Sequence, residues 1–271
     1  MKDSREEWFD AGKKVAVTIV DVTSAAQELA RGHLAGPTST HFLTEALASV
    51  ALLGGEMSEA GETVILQMKC KGPLGGFNVE CTSEGTLRGY AEKKVLDDFD
   101  GLGRPDARKV IGEAQYQVTR SVPGRILSQG ISTSIDGYLT GSLQRKACIR
   151  TEIAVSDEVE VLEARGVMVE ILPDSKLGSL GSEGLKDPLL PLLDSKDPLS
   201  LSVASRNILK QLGLENAELR KTTPLKFACR CSPDRAIAML AALSDEERRS
   251  LPPSIDITCH MCGKTFTVKT K

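Results

Sequence analysis

Four cysteines in two tight pairs constrain this chain more than any other feature. Residues 227–268 read FACRCSPDRAIAMLAALSDEERRSLPPSIDITCHMCGKTFTV. Cys229 and Cys231 flank a single residue, 27 residues follow, and then come Cys259 and Cys262. Zinc takes four thiolates tetrahedrally, and a short pair lets one loop supply two ligands without straining the backbone. Gly263, directly after the last cysteine, admits the tight turn that a metal knuckle needs. The flanking IDIT and TFTV alternate as strands. Ser232 and Pro233 are a natural helix cap and first helical residue. His260 lies between two knuckle ligands, where a side chain points away from the metal. The expected ligand set is therefore Cys229, Cys231, Cys259 and Cys262 around one Zn2+.

Size gives that site a second meaning. A module of about 45 residues buries too little apolar surface to fold without a staple. In comparable small sites zinc contributes roughly 10–16 kcal/mol of apparent binding energy, and that energy is folding energy. Thiolates are also the oxidisable form of cysteine. Oxidation is expected to remove the ligands, release the metal and unfold the module together. Four cysteines allow three pairings, with sequence neighbours as the expected partners, Cys259 with Cys262 and Cys229 with Cys231. Residues two apart in a strand are separated by ~6.6 Å, near the limit for a disulfide, so the Cys229–Cys231 bond is expected to form second.

The 271 residues allow one large domain with one or two small ones. The composition is globular, at 41% hydrophobic and 26% charged, and with aromatics at 4% the core must be mainly aliphatic. A net charge of −3 and a pI near 5.8 argue against broad nucleic-acid binding. MKDSREEWFD lacks the apolar region of a secretory signal. No run of residues reaches the ~18 apolar positions of a membrane span. A cytoplasmic protein is expected, in which cysteines serve as thiols or metal ligands. Cys70, Cys81 and Cys148 stand singly and read as small buried hydrophobes on strands.

Along the chain, residues 15–21 read as a strand, 24–33 as a helix, and 37–53 as a core helix opened by Pro37 with Thr38 and Ser39 near its cap. ETVILQMKC, FNVEC and TLRGYAE form three strands with Gly-rich turns. Further strands are expected at 114–120 and 125–132, then a helical stretch at 134–143, then KACIRTEIAV and ARGVMVEIL. Residues 1–173 thus read as an α+β core domain with a mixed, mainly antiparallel sheet and helices.

Beyond Pro173 the composition turns to Gly, Ser, Pro and Asp. Leu189, Leu190, Leu192 and Leu193 are too apolar for an inert linker. Residues 201–212 read as an amphipathic helix ended by Gly213. The segment beyond Pro173 reads either as a small helical domain or as a metastable element that docks on another part of the chain and can detach. Residues 226–271 form the small zinc-binding domain.

In GPTSTHFLTEALASVALLGG, GETVILQMKCKGPLGGFNVEC, TLRGYAE, FACRCSPDRAIAMLAALSDEE and DITCHMCGKTF the chain resembles the heat-shock protein 33 family, the 33 kDa chaperonins. The resemblance implies an ATP-independent holdase, inactive while reduced and zinc-bound. Oxidants with unfolding stress would drive disulfide formation, zinc loss and linker unfolding. It implies a metastable helical linker over residues 174–225. It also implies unfolding client proteins as partners and a homodimer when oxidised, with no catalytic residue. Leu189, Leu190, Leu192 and Leu193 are the client-binding candidates. A thiol–disulfide oxidoreductase built on Cys259 and Cys262 would place that pair at a strand-to-helix junction. A zinc-ribbon nucleic-acid module would rest on Lys264, Lys269 and Lys271, against the acidic balance of the chain.

Overall fold

A computed structural model describes residues 3–173, 175, 177, 189, 192, 199–241 and 243–270. The architecture is α+β, with two main sheets and a small C-terminal hairpin. Strands β1 (Ser4–Asp10) and β2 (Val15–Asp21) open the chain, followed by helices α1 (Thr23–His33) and α2 (Pro37–Leu53). The meander β3 (Thr63–Cys70), β4 (Gly76–Thr82) and β5 (Thr86–Ala91) comes next. Then come β6 (Ala114–Val122), β7 (Arg125–Ser132), β8 (Lys146–Val155) and β9 (Val161–Ile171). Short helical turns at Ile135–Gly137 and Tyr138–Ser142 fill the expected 134–143 stretch.

Helix α2 is the centre of the core. Its sequence, PTSTHFLTEALASVALL, is apolar nearly all round, as suits a helix enclosed on every side. It packs against β2, β8 and β9 of one sheet and β3, β4 and β5 of the other. Its start differs in detail from expectation. Gly36 is the cap residue, and Asp100 from a distant loop accepts the Thr38 N–H at 3.0 Å. Thr38 and Ser39 are buried in the first turn, where Ser39 donates to the Lys93 carbonyl.

The first sheet runs β10-β1-β2-β9-β8 and is antiparallel throughout. Two of its strands, β1 and β10 (Glu218–Pro224), lack an apolar alternation in sequence. In β1 an inward position is Arg5, which is fully buried. Its guanidinium donates to the Ala51 carbonyl at 3.3 Å and meets Glu7, so it satisfies an orphan group of the α2 C-terminus. The second sheet runs β11-β5-β4-β3-β6-β7, with β11 (Lys226–Phe227) added in parallel to β5.

The outer face of the first sheet carries a second core. Trp8, Val15, Val17, Val167 and Val169 pack there with Leu177, Leu189, Leu192, Leu201 and residues of α3 (Ser205–Gln211). Leu189 and Leu192 are thus buried side chains, while Leu190 and Leu193 lie outside the described residues. Polar clamps accompany the leucines. Arg150 donates to the Leu192 carbonyl, and Glu152 accepts the Leu201 N–H at 2.6 Å. The helix expected at 201–212 begins at Ser205, and Gly213 follows it with φ +69°.

Candidate metal centre

Two local structures bring the four thiols together. Strand β11 runs along β5 and delivers Cys229 and Cys231, and Ala228 donates its N–H to the Leu87 carbonyl at 3.1 Å. Strands β12 (Ser254–Thr258) and β13 (Thr265–Lys269) form an antiparallel hairpin that carries Cys259 and Cys262 in its turn. Gly263 closes that turn with φ +71°, and its N–H reaches the Cys259 carbonyl at 2.9 Å. Between the pairs lie α4 (Pro233–Ala241) and α5 (Asp245–Ser250). Ser232 accepts the Arg235 N–H, and Ser244 with Glu247 makes a capping box.

All four sulfurs lie within 4.8 Å of one another. Cys229 Sγ is 3.7 Å from Cys259 Sγ, and Cys231 Sγ is 3.4 Å from Cys262 Sγ. Zinc–sulfur bonds of about 2.3 Å in a tetrahedron place sulfurs roughly 3.8 Å apart, so this donor set fits zinc. Backbone N–H groups also point at sulfur, from Cys231 to Cys229 and from Lys264 to Cys262. His260 is exposed, and its ring meets Tyr90 edge-on, with centroids 5.8 Å apart.

The thiols differ in acidity. Burial raises Cys229, but the Cys231 N–H, the Arg88 guanidinium and neighbouring thiols outweigh it and bring Cys229 down to about 7. Burial pushes Cys231 and Cys262 up. Two of the three single cysteines follow the expected buried pattern. Cys81 on β4 and Cys148 on β8 are buried, and burial raises them to about 11 and about 12. Cys70, at the end of β3, is half-buried.

The centre is seated on the core. Gly89 of β5 donates to the Met261 carbonyl at 3.2 Å, and its own carbonyl meets His33 Nε2 at 2.8 Å. Arg88 joins Glu80 at 2.9 Å and approaches Cys229 Sγ at 3.7 Å. Arg230 reaches the other oxygen of Glu80 at 2.7 Å. Sequence spacing singled out the four cysteines that the fold gathers, but not this seat. Its residues lie far from Cys229 along the chain, the separation of Arg88 being 141, and no local pattern links them.

Residues 6–269 match the family model described as Hsp33 protein. The chain belongs to the Hsp33 family. A 33 kDa chaperonin of Thermus thermophilus is 29% identical over 282 residues, covering 94% of this chain and 81% of the relative. The 33 kDa chaperonin of Symbiobacterium thermophilum is 28% identical over 289 residues, covering 98% and 94%. The solved structure of the Thermotoga maritima Hsp33 homologue superimposes with a TM-score of 0.84 at 18% identity, covering all of this chain and 96% of that one. That likeness is one of fold. Within this Hsp33 chain the Cys259–Cys262 pair lies between two strands, unlike the strand-to-helix junction of a thioredoxin-type site. No helix among the described residues is long and apolar enough to cross a membrane.

Proposed function

We propose that this protein is a redox-regulated, ATP-independent holdase that captures unfolding proteins in the cytoplasm under oxidative stress. Membership of the Hsp33 family supports the chaperone function. The observation that carries the regulated reading is the cluster of four sulfurs within 4.8 Å, in a module with few buried side chains of its own. Among the described residues from 230 onward, the buried hydrophobics are Ala236, Cys262 and Val268. Such a module depends on its metal to stay folded.

Cys229, Cys231, Cys259 and Cys262 would hold the zinc. When bound, the metal keeps the thiolates deprotonated and gathered. The protein itself supplies the backbone N–H groups at sulfur and the Arg88 charge. Oxidation to Cys259–Cys262 and then Cys229–Cys231 removes the ligands. The module, residues 226–271, then loses its fold and its seat on β5 and α1. Residues 174–225, held between that module and the core of residues 1–173, lose one anchor and detach. Detachment exposes Leu189 and Leu192, together with Leu190 and Leu193, as the client-binding surface. It also frees apolar sheet surface through which oxidised chains pair as homodimers. No residue is catalytic in this scheme.

The test follows zinc content and aggregation of a thermally unfolding client in parallel. Reduced protein should hold one zinc and leave aggregation unchanged. Peroxide with warming should release the zinc and suppress aggregation. Equal suppression by both forms would overturn the switch.

A further inference from the structure

A cavity of about 250 Å3 opens beside the sulfur cluster. Its floor includes Cys231 and Cys259, and Ala236, Met239, Ile257 and Phe266 supply apolar wall. Arg88 and Arg235 line it as well, and among the described residues no carboxylate does. Met239 is 66% exposed, a large apolar side chain held at the rim with no core to join. Zinc ligation and the packing of α4 account for the sulfurs and for Ala236. They do not account for an apolar chamber that leads to two of the four sulfurs.

We propose that this cavity is a binding site for organic hydroperoxides with a bulky apolar group, and that it delivers them to Cys259. The inference rests on the redox reading of the cluster and adds the class of oxidant. The apolar walls give such a molecule a binding advantage that hydrogen peroxide lacks, because burial of apolar surface is favourable. The arginines complement the negative charge that develops on the departing oxygen.

Cys259 attacks the terminal peroxide oxygen. As a thiolate it forms the S–O bond while the O–O bond breaks, and the leaving alkoxide takes a proton from water and departs as the alcohol. Cys262, buried in the same turn, then attacks the sulfur of the sulfenic acid. An S–S bond forms, the S–O bond breaks, and the hydroxide leaves and takes a proton from solvent as water, the two cysteines being lost to the metal as thiolate ligands. Two thiolates are oxidised and one peroxide is reduced, to an alcohol and water, with two protons taken from solvent.

The test uses the full zinc-loaded chain, with cumene hydroperoxide and hydrogen peroxide as separate oxidants. Formation of the Cys259–Cys262 disulfide is read by alkylation and mass spectrometry. Burial of one apolar ring face should favour cumene hydroperoxide by about tenfold or more. Met239→Gln at the exposed rim and Ala236→Phe within the cavity should each erase most of that preference. Both should leave the hydrogen peroxide rate within about twofold, because Cys259 itself is unchanged. Zinc content checks that each variant is folded. A direct arm titrates cumyl alcohol, which cannot oxidise anything, and follows the Met239 and Ile257 methyl resonances by NMR. Saturable shifts are expected. Equal rates for the two oxidants, or methyl resonances that do not move, overturn the pocket. If hydrogen peroxide also leaves all four thiols reduced while cumyl alcohol still binds, the redox reading of the cluster falls instead, and delivery of oxidant falls with it.

Discussion

A Cβ atom on Gly263 would lie 1.9 Å from the carbonyl oxygen of Gly32. The approach is mutual, since a Cβ on Gly32 would lie 2.6 Å from the Cys262 carbonyl oxygen. The Cys259–Cys262 turn therefore sits backbone to backbone on the last turn of α1. Gly32→Ala separates that contact from the helix. Alanine is worth ~1 kcal/mol more than glycine inside a helix, so α1 itself should not weaken. The knuckle must shift, and the Gly89 N–H that meets Met261 should lose protection. Exchange of the Gly89 amide should speed by about tenfold or more, measured by hydrogen exchange on reduced, zinc-loaded protein. Unchanged protection would show that the seat does not depend on this close approach.

Arg165 tests the other anchor. Its guanidinium donates to the Leu201 and Val203 carbonyls at 2.8 and 2.9 Å and pairs with Asp21 at 3.3 Å. These bonds hold the chain before α3 against the first sheet. Arg165→Ala should weaken that hold by about 1–3 kcal/mol, the range for removing a charged partner from largely buried groups. Client suppression after oxidation should then begin at a lower temperature than in the parent. Urea titration of the reduced protein should show an earlier loss of α3. Coincidence of both midpoints with the parent would assign the hold to the leucines alone.

Much of this architecture was readable from sequence where one physical signal dominated. Helix α2 announced itself through Pro37 and a dense apolar run, and β3 through the alternation of Val64, Leu66 and Met68. The clustering of the four cysteines was readable because two short spacings place paired thiols on one turn each. Strands β1 and β10 were not marked. In β1 two of the three buried residues are Arg5 and Asp10, so the polar side chains sit where an apolar alternation would be expected. In β10, an edge strand, only Thr223 is buried, and its β structure comes from pairing with β1. The seat of the metal module was hidden for a related reason. It is built from glycines at contact points and from Arg88, whose partners lie far away in sequence.

His41 gives the stability of the core a pH dependence. Burial, with Arg104 nearby, lowers its pKa from the ordinary 6.5 to about 4. The folded protein keeps His41 neutral in a range where the unfolded chain protonates it. Stability from this group is complete above about 6.5 and declines as pH falls toward 4. Below 4 the loss is constant. His33 shifts the same way, whereas Asp3 and Glu45 are raised by burial and act in the opposite sense. A comparison with His41→Gln isolates the term. Urea midpoints at pH 7.5 and 4.5 should differ less in the variant than in the parent. An identical difference would remove His41 from the account.

Removing the metal should sort six of the seven cysteines by environment. With a chelator at pH 8, the module should lose the hydrogen-exchange protection of β12 and β13, because its folding energy leaves with the ligand set. Cys229, Cys231, Cys259 and Cys262 should then react with iodoacetamide. Cys81 and Cys148 are held at about 11 and about 12 by burial inside the intact core. At pH 8 a thiol with a pKa near 11 is only about one part in a thousand thiolate, so it is a poor nucleophile even before access is considered. These two should stay unmodified until denaturant is added. Mass spectrometry of the alkylated peptides reads the order directly. Modification of Cys81 or Cys148 on the same timescale as the four would mean that metal loss opens the core as well as the C-terminal module.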